Sequence, residues 1–250
     1  MWKKLLRRAL APKSVPRLDD DAWAAAYSRL PFDVPDDDVE RLRLQVERFL
    51  DARSFSGAHG LEVTPEMRLA VACQACLPIV NLPFEALGHW HEVILYPGAF
   101  RVRRHQQAHD SEVVTEWDDE LSGEAWDRGP IILSWADVEQ DLSDPQEGFN
   151  VVVHEIAHKL DLADGGSDGT PPLRDAAARR RWREVMQPAF ERLGAQVDAG
   201  EETVLDAYAA EAEDEFFAVM CEYWFTAPDV LRAEEPAVHA LLADYFANKL

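Results

Sequence analysis

The chain is poor in basic residues. Against 47 aspartates and glutamates it has only 25 lysines and arginines, a formal net charge of -22 over 250 residues. A surface so acidic repels phosphate backbones and anionic lipid, which excludes general nucleic-acid and membrane-surface binding. No apolar run approaches the roughly 20 residues of a membrane span. Cysteine is scarce too: Cys73, Cys76 and Cys221 are odd in number, and two of them stand three apart. That is no disulfide framework, and it fits a reducing, cytoplasmic compartment. The opening MWKKLLRRALAPK is basic, but arginines and a proline interrupt the apolar stretch a signal peptide needs. It reads as a short amphipathic helix or arm.

What remains is an ordinary apolar fraction, 47% of residues, enough to bury one substantial core. Helical spacing predicts helices over Asp19–Arg29, Val34–Ala52, Thr64–Ile79, Gln146–Leu162, Arg174–Leu193, Asp206–Phe225 and Val230–Lys249. Asp36, Asp37 and Asp38 offer a cap and favourable charge to the second, and Thr64 with Pro65 to the third. Cys73 and Cys76 share the apolar face of that third helix, as small buried side chains rather than a redox pair. Three stretches read as strands of one small sheet: Glu92–Phe100, Val113–Trp117 and Gly129–Trp135. The polar segment between the first two carries His105 and His109, four apart, and reads as an exposed loop. Arg179, Arg180 and Arg181 form a solvated face.

The chemistry concentrates in Asn150–Asp161, NVVVHEIAHKLD. His154 and His158 are one helical turn apart and can turn two imidazole nitrogens to one Zn²⁺, with Glu155 between them as the carboxylate that activates water. A catalytic zinc needs a third protein ligand and an open position. No histidine follows at the spacing of an extended motif, and the only later one is His239, so a glutamate is expected. Glu211, Glu213, Glu215 and Glu222 are candidates, and Glu211, Glu215 and Glu222 share approximately one face, so periodicity does not choose among them. Asp161, three residues after His158, is a candidate to orient an imidazole. The run GPIILSW is a candidate strand edge for holding an extended peptide.

HEIAHKLD, followed by a Tyr, six residues and EFFA, resembles the Mlc titration factor peptidases and, more distantly, the catalytic domain of anthrax lethal factor. LPIVNLPFEALGHWHEVILYPGAF and GPIILSW extend the resemblance over most of the chain. It implies an α+β, zincin-like fold, with a small mixed sheet on the motif helix and further helices at both ends. Residues 1–55 would be an arm and helices packed on a catalytic domain of residues 56–250. It places the third zinc ligand at Glu215 and the donor to the transition state at Tyr208, beside the ligands His154 and His158 and the base Glu155. It also implies one zinc per chain, aminopeptidase action on small peptides by a cytosolic monomer, and interaction with a glucose-responsive repressor of the Mlc type. Two other readings start from the same residues: a regulatory binding protein on a peptidase fold, and a closed structural zinc site.

Overall fold

The computed structural model describes residues 17–98 and 129–248. The basic arm, the strand expected at Val113–Trp117, and His105 and His109 lie outside the described residues.

Helix α1 (Asp20–Tyr27) starts at Asp19, whose carboxylate accepts the N–H groups of Asp21 and Ala22. Helix α2 (Asp36–Ala52) carries Asp36, Asp37 and Asp38 in its first turn, where their charge meets the positive end of the helix. The cap position itself is Pro35, without a side-chain bond. Helix α3 (Pro65–Cys76) opens as expected, with Thr64 accepting the Met67 N–H and Pro65 at the first position. It is buried on almost every side, and Cys73 and Cys76 are among its core residues. Burial pushes the Cys73 thiol up to about 12 and that of Cys76 well above its ordinary value, so neither is a poised nucleophile.

The sheet has the order β1 (Ser54–Gly57), β2 (Glu92–Tyr96), β3 (Ile131–Ser134). Both pairings are parallel, with Phe55 opposite Val93 and Val93 opposite Ile131. The mixed pairing expected from the sequence is therefore not displayed by the described strands. Val93 and Leu95 on β2, and Ile131 and Leu133 on β3, point into the core. Ile132 faces outward, 45% exposed, on the outer edge of the described sheet. Strand β1 carries no apolar alternation in SFSG and was not signalled by its sequence.

Helix α4 (Trp135–Ser143) follows β3 directly. The motif helix is α5 (Val151–Asp161), shorter than the span read from the sequence, because residues 144–150 form a docking loop. At Gly148, φ is +73°, and a Cβ would lie 2.2 Å from the Tyr223 ring, so only glycine lets this loop lie against that side chain. Helix α6 (Ala176–Asp198) is capped by Asp175 and exposes Arg179, Arg180 and Arg181 to solvent, as expected.

The helix expected over Asp206–Phe225 is two elements. A 3-10 turn (Ala207–Ala210) is capped by Asp206, and α7 (Glu213–Thr226) begins after an extended Ala212. The acids Glu213, Asp214 and Glu215 occupy the first turn of α7, where negative charge is favourable. The last helix also divides, into α8 (Pro228–Glu234) and α9 (Pro236–Phe246), because Pro236 cannot continue a helix but suits its first turn.

One hydrophobic cluster runs through all of this. It joins Trp23, Leu42 and Phe49 of α1 and α2 to Val93 and Leu133 of the sheet, and to Phe217 and Leu241 of the carboxyl-terminal helices. Helix α5 passes through its middle. Val152, Val153, Ile156, Ala157 and Leu160 are all essentially buried, each large aliphatic contributing about 1.5–3 kcal/mol. A helix buried on nearly all sides cannot slide or rotate, and this fixes the histidines it carries.

Candidate metal centre

Three elements deliver the site. Helix α5 presents His154, Glu155 and His158; the first turn of α7 presents Glu215; the 3-10 turn before it presents Tyr208. Helices α5 and α7 pack on each other, and Val153, Ala157, Phe217 and Cys221 all belong to the common core.

The two imidazoles meet edge to face, with centroids 4.7 Å apart and Nε2 atoms 3.0 Å apart. The Glu215 Oε2 atom lies 3.1 Å from Nε2 of His154 and 3.4 Å from Nε2 of His158. Among the described residues this is the one group of three or more His, Cys, Asp or Glu side chains whose ligand atoms converge, all within 4.8 Å of one another. His239, by contrast, lies against Trp224 with ring centroids 4.8 Å apart and planes tilted by 53°, and takes no part. Glu211 and Glu213 are exposed and are not members of the group.

The protons say what the group lacks. Nδ1 of His154 is 2.7 Å from Oε1 of Glu222, a side chain with no exposure at all. With the ring proton on Nδ1, the imidazole donates to this carboxyl oxygen and a neutral ring carries its lone pair on Nε2. That lone pair faces a second imidazole and a carboxylate oxygen. Oε2 of Glu215 is buried and makes no properly directed hydrogen bond, although both Nε2 atoms are close. Burial disfavours a charge on Glu215, yet the close His154 and His158 imidazoles outweigh it and hold the carboxyl well below the usual range. Acceptor atoms pressed together in this way repel one another unless a cation lies between them. Two nitrogens and one carboxylate oxygen are also the donor set of a catalytic zinc, with room left for water. The residues therefore fit a metal.

Glu155 is half-buried and next to His154 in sequence, and its carboxylate is engaged in no hydrogen bond among the described residues. The Tyr208 ring centroid lies 6.3 Å from that of His154, tilted by 43°. Of the five residues expected at the site, His154, His158 and Glu215 converge, the Tyr208 ring lies beside the first, and Glu155 follows it along α5.

Asp161 is a correction. It is fully buried, but it touches no imidazole: its Oδ2 accepts the Gly169 N–H at 3.0 Å. The Gly169 carbonyl in turn accepts from Trp182 Nε1 at 2.9 Å. With φ at +70° and a Cβ position 2.3 Å from the Glu213 carbonyl oxygen, Gly169 wedges the loop after α5 against the start of α7. Asp161 is the anchor of that wedge.

The imidazole is instead held by Glu222, which the sequence offered only as a rival ligand. Its Oε2 accepts the Asn150 N–H at 2.5 Å. The Asn150 side chain caps α5 at the Val153 N–H, 2.9 Å, and donates to Gln74 Oε1 at 2.7 Å. Asp141 accepts the next N–H, that of Val151, at 2.8 Å. An Asn just before an apolar helix is legible as a cap. That Glu222 rather than Asp161 meets the ring is set by the packing of α7 on α5, which the sequence does not display.

The chain is 38% identical to the Mlc titration factor A of Serratia proteamaculans over 238 residues, 90% of this chain and 86% of the relative. It is 37% identical to the Mlc titration factor A of Yersinia pestis over 226 residues, 87% of this chain and 80% of the relative. An uncharacterised protein of Synechocystis sp. is 33% identical over 248 residues, 98% of this chain and 86% of its own length. The family described as "Glucose-regulated metallo-peptidase M90" matches residues 2–247. The chain belongs to that metallopeptidase family.

Proposed function

We propose that the protein is a cytoplasmic zinc-dependent peptidase of zincin-like fold, acting as an aminopeptidase on small peptides. The observation that carries this reading is the convergence of His154 Nε2, His158 Nε2 and Glu215 Oε2 beside an unengaged Glu155. Those three residues would hold one zinc. When bound, zinc supplies a Lewis acid that makes a nearby water acidic enough to ionise near neutral pH and polarises the scissile carbonyl.

The rest is the work of the chain. Glu155 takes the proton from the attacking water and returns it to the leaving amine. Tyr208, beside the His154 ring, donates its O–H to the oxygen that gains negative charge. Among the described strands β3 lies at the sheet edge, and its backbone would offer groups to an extended peptide.

A second reading is supported by the relatives' name, which describes titration of Mlc. On that reading the protein sequesters a repressor and catalysis is secondary. Purified protein and Glu155→Gln, compared on aminoacyl reporter substrates, separate the two. The peptidase reading predicts that Glu155→Gln keeps its metal and loses turnover by at least ~10²-fold, the contribution of a positioned general base. Equal turnover in both proteins would overturn it.

A further inference from the structure

We infer that Glu222 is a positioning residue: a fully buried carboxylate on α7 that fixes the tautomer and ring plane of His154, and so prepares the site for its metal. The inference rests on His154 being a metal ligand.

The geometry is two-pronged. One oxygen of Glu222 is 2.7 Å from His154 Nδ1, and the other accepts the Asn150 backbone N–H at 2.5 Å. The side chain therefore offers an oxygen in each direction. Burying a carboxylate with no exposed surface is costly unless donors meet it. Here the donors are the ring whose orientation matters and the backbone at the start of the helix that carries that ring. Asn150 is held in turn by Gln74 on α3, which donates back to the Ala70 carbonyl at 3.2 Å. A ring gripped at Nδ1 by a carboxylate fixed to its own helix has neither freedom to flip nor a choice of tautomer. Outer partners of this kind raise the basicity of the ligating nitrogen and hold it in line.

Only a carboxylate satisfies both prongs. Glutamine has the same shape but offers one oxygen and one NH₂. If the oxygen faces Nδ1, the NH₂ meets the Asn150 N–H, donor against donor. If the NH₂ faces Nδ1, that nitrogen must accept, and the proton moves to Nε2, where it blocks the metal. Glu222→Gln is therefore a near-isosteric probe of the proposed role.

The experiment uses three proteins with the full chain: wild type, Glu222→Gln and Thr226→Val. Thr226 accepts the Gly148 N–H at 2.7 Å one turn further along α7, so its replacement disturbs the same packing without altering the carboxylate. For each, zinc affinity is measured by competition with a chelator, and the ring nitrogens of His154 are read by ¹⁵N NMR in the metal-free protein at a pH near 8, where a free imidazole is neutral. Glu222→Gln is expected to weaken zinc binding by about 10–100-fold and to move the proton of the His154 ring away from Nδ1. Thr226→Val is expected to change neither. Unchanged affinity and ring signals in Glu222→Gln would overturn the inference. So would an equal loss of affinity in Thr226→Val, which would make the effect one of packing. His154→Ala distinguishes the underlying reading: if that variant retains zinc, His154 is no ligand, whereas if it loses zinc and Glu222→Gln does not, only the role of Glu222 fails.

Discussion

Each site residue owes its place to a different kind of information. His154, Glu155 and His158 follow from spacing alone, since residues four apart share a helix face. Glu215 and Tyr208 do not: Glu211, Glu215 and Glu222 are equivalent under helical periodicity, and the resemblance decided among them. The structure separates them by burial and direction. Glu211 is exposed, Glu215 turns its Oε2 to both histidines, and Glu222 is buried behind the first of them. The Tyr208 ring centroid lies 6.3 Å from that of His154, whose nearest ligand-group neighbours are His158 and Glu215. Tyr208→Phe should therefore keep the full metal content and lower turnover by roughly 10²-fold, the size of one lost donor to a developing oxyanion. Turnover within a factor of two of wild type, measured at saturating reporter substrate, would leave the ring a packing role only.

At the scale of elements, the long apolar helices were legible, and the breaks between them less so. Acids in a helical window read as a polar face, yet Glu213, Asp214 and Glu215 mark where α7 begins. Strand β1 was invisible because four residues of Ser, Phe and Gly carry no alternation, and its pairing with β2 supplies the order. The wedge after α5 was also hidden, because it depends on Asp161 being fully buried. Burial pushes its carboxyl up to about 6, against the stabilising N–H bonds from the loop. A folded-state value above the unfolded one means that the folded protein keeps a proton the unfolded chain has lost, between about pH 4 and 6. Stability from this residue is therefore present at low pH and is lost as pH rises through about 6. Asp161→Asn keeps an oxygen for the Gly169 N–H and has no such charge to bury. Its stability relative to wild type should rise between pH 4.5 and 7, by on the order of 2 kcal/mol, in urea unfolding of the metal-free proteins. Parallel pH profiles for the two proteins would show that Asp161 pays no burial cost.

Over the whole molecule, the acidity noted in the sequence has a structural use beyond repelling anions. Asp19, Asp175 and Asp206 cap the starts of helical elements, and Asp36–Asp38 and Glu213–Glu215 fill first turns. The motif helix has no acid in its own first turn. It receives carboxylates from elsewhere instead, Glu222 at the Asn150 N–H and Asp141 at the Val151 N–H. The most buried helix is thus tied at its start to α7 and α4, and the same bonds reach His154. One core extends from α1 to α9, so the ligands on α5 and α7 are held by the fold as a whole.

The central claim is that this arrangement exists to hold a metal, and a crystal of the purified protein soaked in zinc tests it most directly. Anomalous scattering at the zinc edge should give one strong peak per chain, at about 2.0–2.2 Å from Nε2 of His154, Nε2 of His158 and Oε2 of Glu215. A peak at another set of side chains, or none at these three residues with the protein folded, would contradict the account.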